Sequence, residues 1–182
     1  MKNFNPKNRY DFSVIEQWIS PNARVLDLGC GDGMLLNYLS THKNTTGFGI
    51  EKNKDNWLLS LKNGLDVIQM DLESGLAGFE DNSFDIVHSR HVVEHMSTIE
   101  KPLDEMIRVA TQKVFNSFFI KPTNESEHII SLDNKGTKGE VYHNKYSRIL
   151  IKKHLNDNTK VKDFRWINLP SPSCELLIIN LK

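Results

Sequence analysis

The stretch Arg24-Val25-Leu26-Asp27-Leu28-Gly29-Cys30-Gly31-Asp32-Gly33 constrains the fold more than any other part of the chain. A short apolar run breaks into three alternate glycines, and the apolar segment Met34 to Leu39 follows. That order reads as a buried strand, a tight turn and the first turn of a helix. Glycine has no Cβ, so such a turn adopts positive φ and lets a ligand approach the main chain closely. The helix that follows presents free N–H groups at its start. In a parallel sheet, a strand, turn and helix in this order mark a nucleotide-type cofactor site.

The pattern downstream repeats strand and helix. Thr46 to Glu51 reads as a second strand ending in an acid, about 20 residues past the turn, where a carboxylate meets ribose hydroxyls. Its two acceptor oxygens suit a vicinal diol. Asn53 to Lys62 is an amphipathic helix closed by Asn63-Gly64, and Leu65 to Asp71 is a third strand. Ser83 to Arg90 is the fourth strand, Met96 to Ala110 the next helix with Pro102 near a first turn, and Lys113 to Ile120 the fifth strand. Upstream, Phe12, Ile15, Trp18 and Ile19 predict a helix from Tyr10 that stops at Ser20-Pro21, after a polar arm Met1 to Arg9. Alternation over 24–120 predicts parallel βαβ units and an α/β fold, in one domain over 1–182.

The last third reads differently. Lys121 to Glu140 is polar, with Pro122, Gly136 and Gly139, and is long for a compact-domain loop. We read 121–143 as a mobile lid or acceptor-side insertion. Asn144 to Leu155 is an amphipathic helix, and Lys160 to Leu169 and Cys174 to Leu181 are strands joined by Pro170-Ser171-Pro172-Ser173.

The glycine turn departs from the dinucleotide fingerprint G-x-G-x-x-G, because Met34 stands where the third glycine belongs. Its form, Asp-x-Gly-x-Gly-x-Gly from Asp27 to Gly33, resembles motif I of the class I S-adenosylmethionine (SAM) dependent methyltransferases. The resemblance implies a Rossmann-like three-layer αβα sandwich, with a mostly parallel seven-stranded sheet and a C-terminal antiparallel hairpin. It implies SAM as cofactor and S-adenosylhomocysteine (SAH) as product. An acid beside the turn suits the ammonium group of SAM, so Asp27 takes that role. Gly29, Cys30, Gly31 and Gly33 form the turn, and Glu51 with Lys52 meets the ribose end. Asp71 and Leu72 read the adenine, and His88 ends the fourth strand beside the site. More narrowly, Arg24 to Gly33, Val67 to Leu76 and Phe84-Asp85-Ile86-Val87 look like the bacterial methionine-biosynthesis family MetW. Arg108-Val109-Ala110, running straight into the fifth strand, looks like it too. That family is associated with homoserine acyltransferase activity as well as a methyltransferase fold. The segment after Ile120 departs from its aromatic-rich, His-containing C-terminal pattern.

Charge supports a small ligand over a polymer. Acidic and basic residues number 23 each, so nothing in the total favours nucleic acid or an anionic membrane. Cys30 and Cys174 have no metal or redox spacing, and Cys30 reads as a small filler inside the turn. No signal-like or membrane-length apolar run is present, which points to the cytoplasm.

A sulfonium is electrophilic by itself, so alignment of a nucleophile carries much of methyl transfer. A hydroxyl acceptor gains from a general base, and His88, His91 and His95 after the fourth strand are candidates. His91, just past the strand end, is the first choice. His128, Tyr142, His143 and Tyr146 fall in the region that would shape an acceptor pocket. The expected function is methyl transfer from SAM to a small-molecule acceptor at oxygen or nitrogen. The alternative is a MetW-like SAM-binding subunit that acts with a partner enzyme such as a homoserine acyltransferase, or as a homodimer. A nucleic-acid or protein methyltransferase would show a basic surface or an Asn/Asp-Pro-Pro-aromatic motif where this chain has His88-Ser89-Arg90-His91. A NAD-dependent enzyme is set aside by Met34.

Overall fold

The computed structural model describes residues 10–134, 140–169 and 175–182. The N-terminal arm, the Pro170 to Ser173 link and Cys174 lie outside the described residues, as does part of the expected lid. The elements run α1 (Tyr10–Glu16), β1 (Arg24–Leu28), α2 (Met34–Lys43), β2 (Thr46–Glu51), α3 (Lys54–Lys62), β3 (Asp66–Gln69) and β4 (Phe84–Arg90). They continue as α4 (Glu100–Val109), β5 (Ala110–Phe118), β6 (Leu132–Asn134), β7 (Glu140–Tyr142), α5 (Arg148–Asp157), β8 (Val161–Asn168) and β9 (Glu175–Leu181). The main sheet has the order β3-β2-β1-β4-β5-β9-β8. β1 to β5 are parallel, and β9 runs antiparallel to both β5 and β8. This is the expected seven-stranded class I methyltransferase sheet with its antiparallel closure.

Both sheet faces are covered, which is why its strands read as unbroken apolar runs in the sequence. Val25, Ile86, Phe115 and Ile178 face one way and pack with Phe12, Ile15, Leu36 and Leu39 of α1 and α2. Leu26, Val87, Val114 and Ile179 face the other way, against Leu103, Met106, Ile151 and Leu155 of α4 and α5. The side-chain period of two divides each strand between the two cores.

Three boundaries differ from the sequence reading, each for a local reason. α4 starts at Glu100 and not at Met96, because a helix from Met96 would put Pro102 in its interior. Starting at Glu100 leaves Pro102 in the first turn, and a separate 3₁₀ turn covers Val93–His95. β5 starts at Ala110, directly after α4. The freed carbonyls of Ile107 and Arg108 accept from Lys160 Nζ at 2.9 and 3.1 Å, so no turn glycine is needed to end the helix. α5 starts at Arg148, where the Ser147 hydroxyl caps the N–H of Leu150, and Asn144 and Tyr146 stay extended and buried.

The expected loop after Ile120 is corrected over its described part. Thr123 bridges Ser147, Ile129 bridges Lys145, and β6 pairs with β7. The Ile129–Lys145 and β6–β7 pairings are antiparallel and the Thr123–Ser147 bridge is parallel, and the returning arm meets the 3₁₀ turn after β4 through Tyr142 O and Asn144 N–H.

Candidate cofactor and acceptor site

The carboxyl ends of β1, β2 and β4 meet at the glycine turn. Gly29, Gly31 and Gly33 all have positive φ, at 70°, 60° and 77°. Their missing side chains serve different ends. A Cβ on Gly33 would lie 1.8 Å from Leu65 Cδ1, and one on Gly29 2.4 Å from Val92 Cγ2. Those two glycines are needed for packing. A Cβ on Gly31 would meet nothing within 4 Å. Gly31 therefore leaves open space beside the main chain, which is the room a ligand would use. Cys30 fills the turn from inside: its Sγ lies where Gly49 has no side chain. Burial pushes its thiol up to about 12, and the Asp27 and Glu51 charges add to this. It is an inert filler, as the sequence suggested.

Glu51 braces the turn. Gly31 N–H donates to its Oε2 at 2.8 Å and Asn53 N–H to its Oε1 at 2.7 Å. Each oxygen keeps one acceptor position. Asp27 is buried, and its Oδ1 meets His88 Nδ1 at 2.7 Å. A carboxylate accepts, so Nδ1 carries a proton, and Nε2 is the ring nitrogen left for another partner. That Nε2 is buried and has no partner among the described residues. Asp71 pairs with Lys52 at 2.6 Å, and this hydrogen bond holds its carboxyl below the usual range.

Two cavities share Gly29 and Arg90. One, of about 100 Å³, is lined by Phe12, Asp27, Cys30, Gly31 and His88. The other, of about 290 Å³, is lined by Glu51, Lys52, Asp71, Leu72, His91, Val92 and His95. Nine of the ten sequence-derived cofactor residues thus line these two adjoining cavities, and the tenth, Gly33, is a packing position in the turn. Carboxylates line one end of the larger cavity; Arg90, His91 and His95 line the other. Arg90 is itself pinned by Asp11 of α1, an ion pair that no spacing in the sequence announced.

The histidines separate into two groups. His91 has a left-handed backbone, with φ 57°, and its N–H donates to Ser117 O. Its ring meets Phe119 edge-on. His95 Nδ1 lies 2.7 Å from Tyr142 O. Neither His128 nor Tyr146 is among the residues that line the larger cavity. His128 bridges Glu100 and the Ser147 N–H, and Tyr146 is fully buried with its hydroxyl between Val93 O and Met96 O. His143 is paired with Asp133.

Glu94, just behind the end of the fourth strand with His95, carries no assigned role in the sequence reading, although a lone acid inside Val92-Val93-Glu94-His95-Met96 is a signal. It is fully buried; Phe119 and Ile120 donate their N–H groups to its Oε1 at 2.7 and 3.4 Å. Burial raises its carboxyl to about 7.

The chain matches the family described as "Methionine biosynthesis protein MetW" over residues 9–120. A curated relative, the bifunctional methionine biosynthesis protein MetXA/MetW of Rhodopirellula baltica, is 32% identical over 114 residues, covering 58% of this chain and 18% of the relative. The chain therefore spans under a fifth of that relative's length. Among solved structures, a SAM-dependent methyltransferase from Methanosarcina mazei has a TM-score of 0.69 at 17% identity, covering 93% of this chain and 96% of its own. Magnesium protoporphyrin IX methyltransferase from Synechocystis, with bound SAM, has a TM-score of 0.69 at 16% identity, covering 100% of this chain and 86% of its own. At these identities the likeness concerns the fold. No helix among the described residues is long and apolar enough to cross a membrane.

Proposed function

This chain belongs to the MetW family, and from that membership and the geometry of the glycine turn we propose that it binds SAM and transfers its methyl group to a small-molecule acceptor, releasing SAH. The observation that carries this reading is the open side of Gly31, set between Asp27 and the Glu51 brace. The orphaned His88 Nε2 faces the same need for a polar ligand. Asp27, Gly29, Cys30, Gly31 and His88 would hold the amino-acid end of SAM, with Gly33 shaping the turn. Glu51 and Lys52 would hold the ribose, and Asp71 and Leu72 the adenine. When bound, SAM supplies a methyl group on a sulfonium. The chain's own part is to hold donor and acceptor in line and to exclude water. His91 stands on the acceptor side of the cavity and would contact the acceptor.

Calorimetric titration with SAM, SAH and NAD tests this. Micromolar binding of SAM and SAH, about −8 kcal/mol, without NAD binding is expected. Asp27→Ala should abolish it in a chain that still folds. Absence of SAM binding would refute the assignment.

A second reading is favoured by the fused relative, in which a MetW part and a MetXA part share one chain. On that reading this chain binds SAM and acts with a partner enzyme. Co-purification with a homoserine acyltransferase, and a change in that enzyme's rate on adding SAM, would support it.

A further inference from the structure

Resting on the proposed SAM-dependent methyl transfer, we propose that His95 is the general base of the reaction and that the acceptor atom is a hydroxyl oxygen. The argument starts from a carbonyl. Tyr142 O can only accept a hydrogen bond, and it lies 2.7 Å from His95 Nδ1. The proton of neutral His95 is therefore on Nδ1, and the basic lone pair is on Nε2. Nε2 has no hydrogen-bond partner among the described residues, and His95 is exposed in the wall of the 290 Å³ cavity.

The other histidines of this region differ on the same test. His88 Nε2 is also left without a partner among the described residues, but it is fully buried on the Asp27 side, away from the larger cavity. His143 Nδ1 and His128 Nε2 are bonded to carboxylates. His91 lines the cavity as well, with its ring packed edge-on against Phe119.

His95 is also held in place. Its ring lies 5.3 Å from Phe119 and 5.1 Å from His143, whose charge partner is Asp133. The 3₁₀ turn that carries it is tied to β5 through Glu94. Tyr142 belongs to β7, so the antiparallel arm sets the protonation pattern of a residue on the β4 side. This gives the arm a chemical task beyond covering the site.

A base fixed in this way matters for one acceptor class. A neutral amine attacks with its own lone pair, whereas a hydroxyl oxygen becomes a good nucleophile only as its proton leaves. In the step, the hydroxyl oxygen forms a bond to the methyl carbon and the carbon–sulfur bond breaks. Its electron pair passes to sulfur, giving the neutral thioether of SAH. The hydroxyl proton moves to His95 Nε2, and the imidazolium then loses it to solvent.

Nitrogen-detected NMR of the free protein is the first test, since it needs no turnover. Neutral His95 is expected as the Nδ1–H tautomer; the Nε2–H tautomer would overturn the proposal. SAM binding is then measured by calorimetry for wild type and His95→Gln, with affinities expected within about twofold of each other. Loss of SAM binding by wild type would sink the proposed function itself. With SAM bound, phenol, catechol and glycerol serve as hydroxyl probes and benzylamine as the nitrogen probe. Transfer to a hydroxyl probe is expected, with kcat falling about 100-fold in His95→Gln. The single-proton rise of wild-type kcat with pH should vanish in that variant. Equal kcat in His95→Gln, transfer to benzylamine alone, or no transfer to any hydroxyl probe by SAM-binding protein would each overturn the base assignment.

Discussion

The two ends of the larger cavity are built in opposite ways. At the carboxylate end, each group lies at the end of a strand and is held by neighbours in the same βαβ unit. Glu51 reaches back to Gly31, Asp71 pairs with Lys52, and Asn53 caps α3. At the histidine end, the contacts join distant parts of the chain. Glu94 holds Phe119, Asn144 Nδ2 donates to Met96 O, and Ser147 Oγ donates to Glu125 O. The first kind follows from local rules about where strands stop. The second depends on a fold-back that no local rule dictates.

The sharpest break of that comparison uses two glycines two positions apart. Gly33→Val is expected to cost about 4 kcal/mol of stability, combining a left-handed backbone with a clash on Leu65. Gly31→Val meets only the backbone penalty, about 1–2 kcal/mol, but should weaken SAM binding at least about 100-fold, near 2.7 kcal/mol. Urea melts and calorimetry on both variants separate packing from binding. Unchanged SAM affinity in Gly31→Val would remove the carboxylate end from the cofactor site.

Next in size is the acid that anchors the histidine end. The Glu94 carboxyl is raised from 4.5 to about 7 in the folded chain. Between those values the folded state binds more protons than the unfolded state, so stability falls as pH rises. The loss should be about 3 kcal/mol from this group between pH 4.5 and above 7. Glu94→Gln should flatten that part of the stability–pH curve, as measured by urea melts at several pH values. A slope equal to wild type would mean that another group carries it.

Asn144→Ala comes third, with an expected loss of about 2 kcal/mol, because it strips the Ser131 N–H of its acceptor and takes from the Met96 carbonyl one of its two donors, leaving the Tyr146 hydroxyl. It should leave SAM affinity within a factor of two or so. A large fall in SAM affinity would show that the two ends are not independent. Smallest is Lys52→Ala, which breaks an exposed ion pair and should change stability by less than about 1 kcal/mol.

Legibility in the sequence follows the same division. The order of strands and helices through β5 was readable because both cores impose period and length on the chain. Glu51 and Asp71 were readable because a strand ending in an acid is visible as such. Tyr146 and His128 lie in the stretch expected to shape an acceptor pocket, but each taken alone reads as packing or loop, and the structure uses both as hydrogen-bonded anchors. Tyr146 is buried against the carbonyls of Val93 and Met96, and His128 joins Glu100 to the Ser147 N–H, contacts that span distant parts of the chain. Arg90 and Asp11 lie 79 residues apart, and their pairing depends on α1 packing beside the turn. The brevity of α4 was announced by Pro102, whose consequence becomes clear once the helix start is counted from it.

Glu51 has a consequence for evolution. Its carboxylate fastens the glycine turn to the start of α3. The group that would greet the ribose is also a rivet of the scaffold. A lineage that abandoned the reaction would still be under pressure to keep this acid, since replacing it would loosen the turn. Its persistence in a sequence therefore testifies first to the shape of the turn, and only in company with an open Gly31 to the use of that shape.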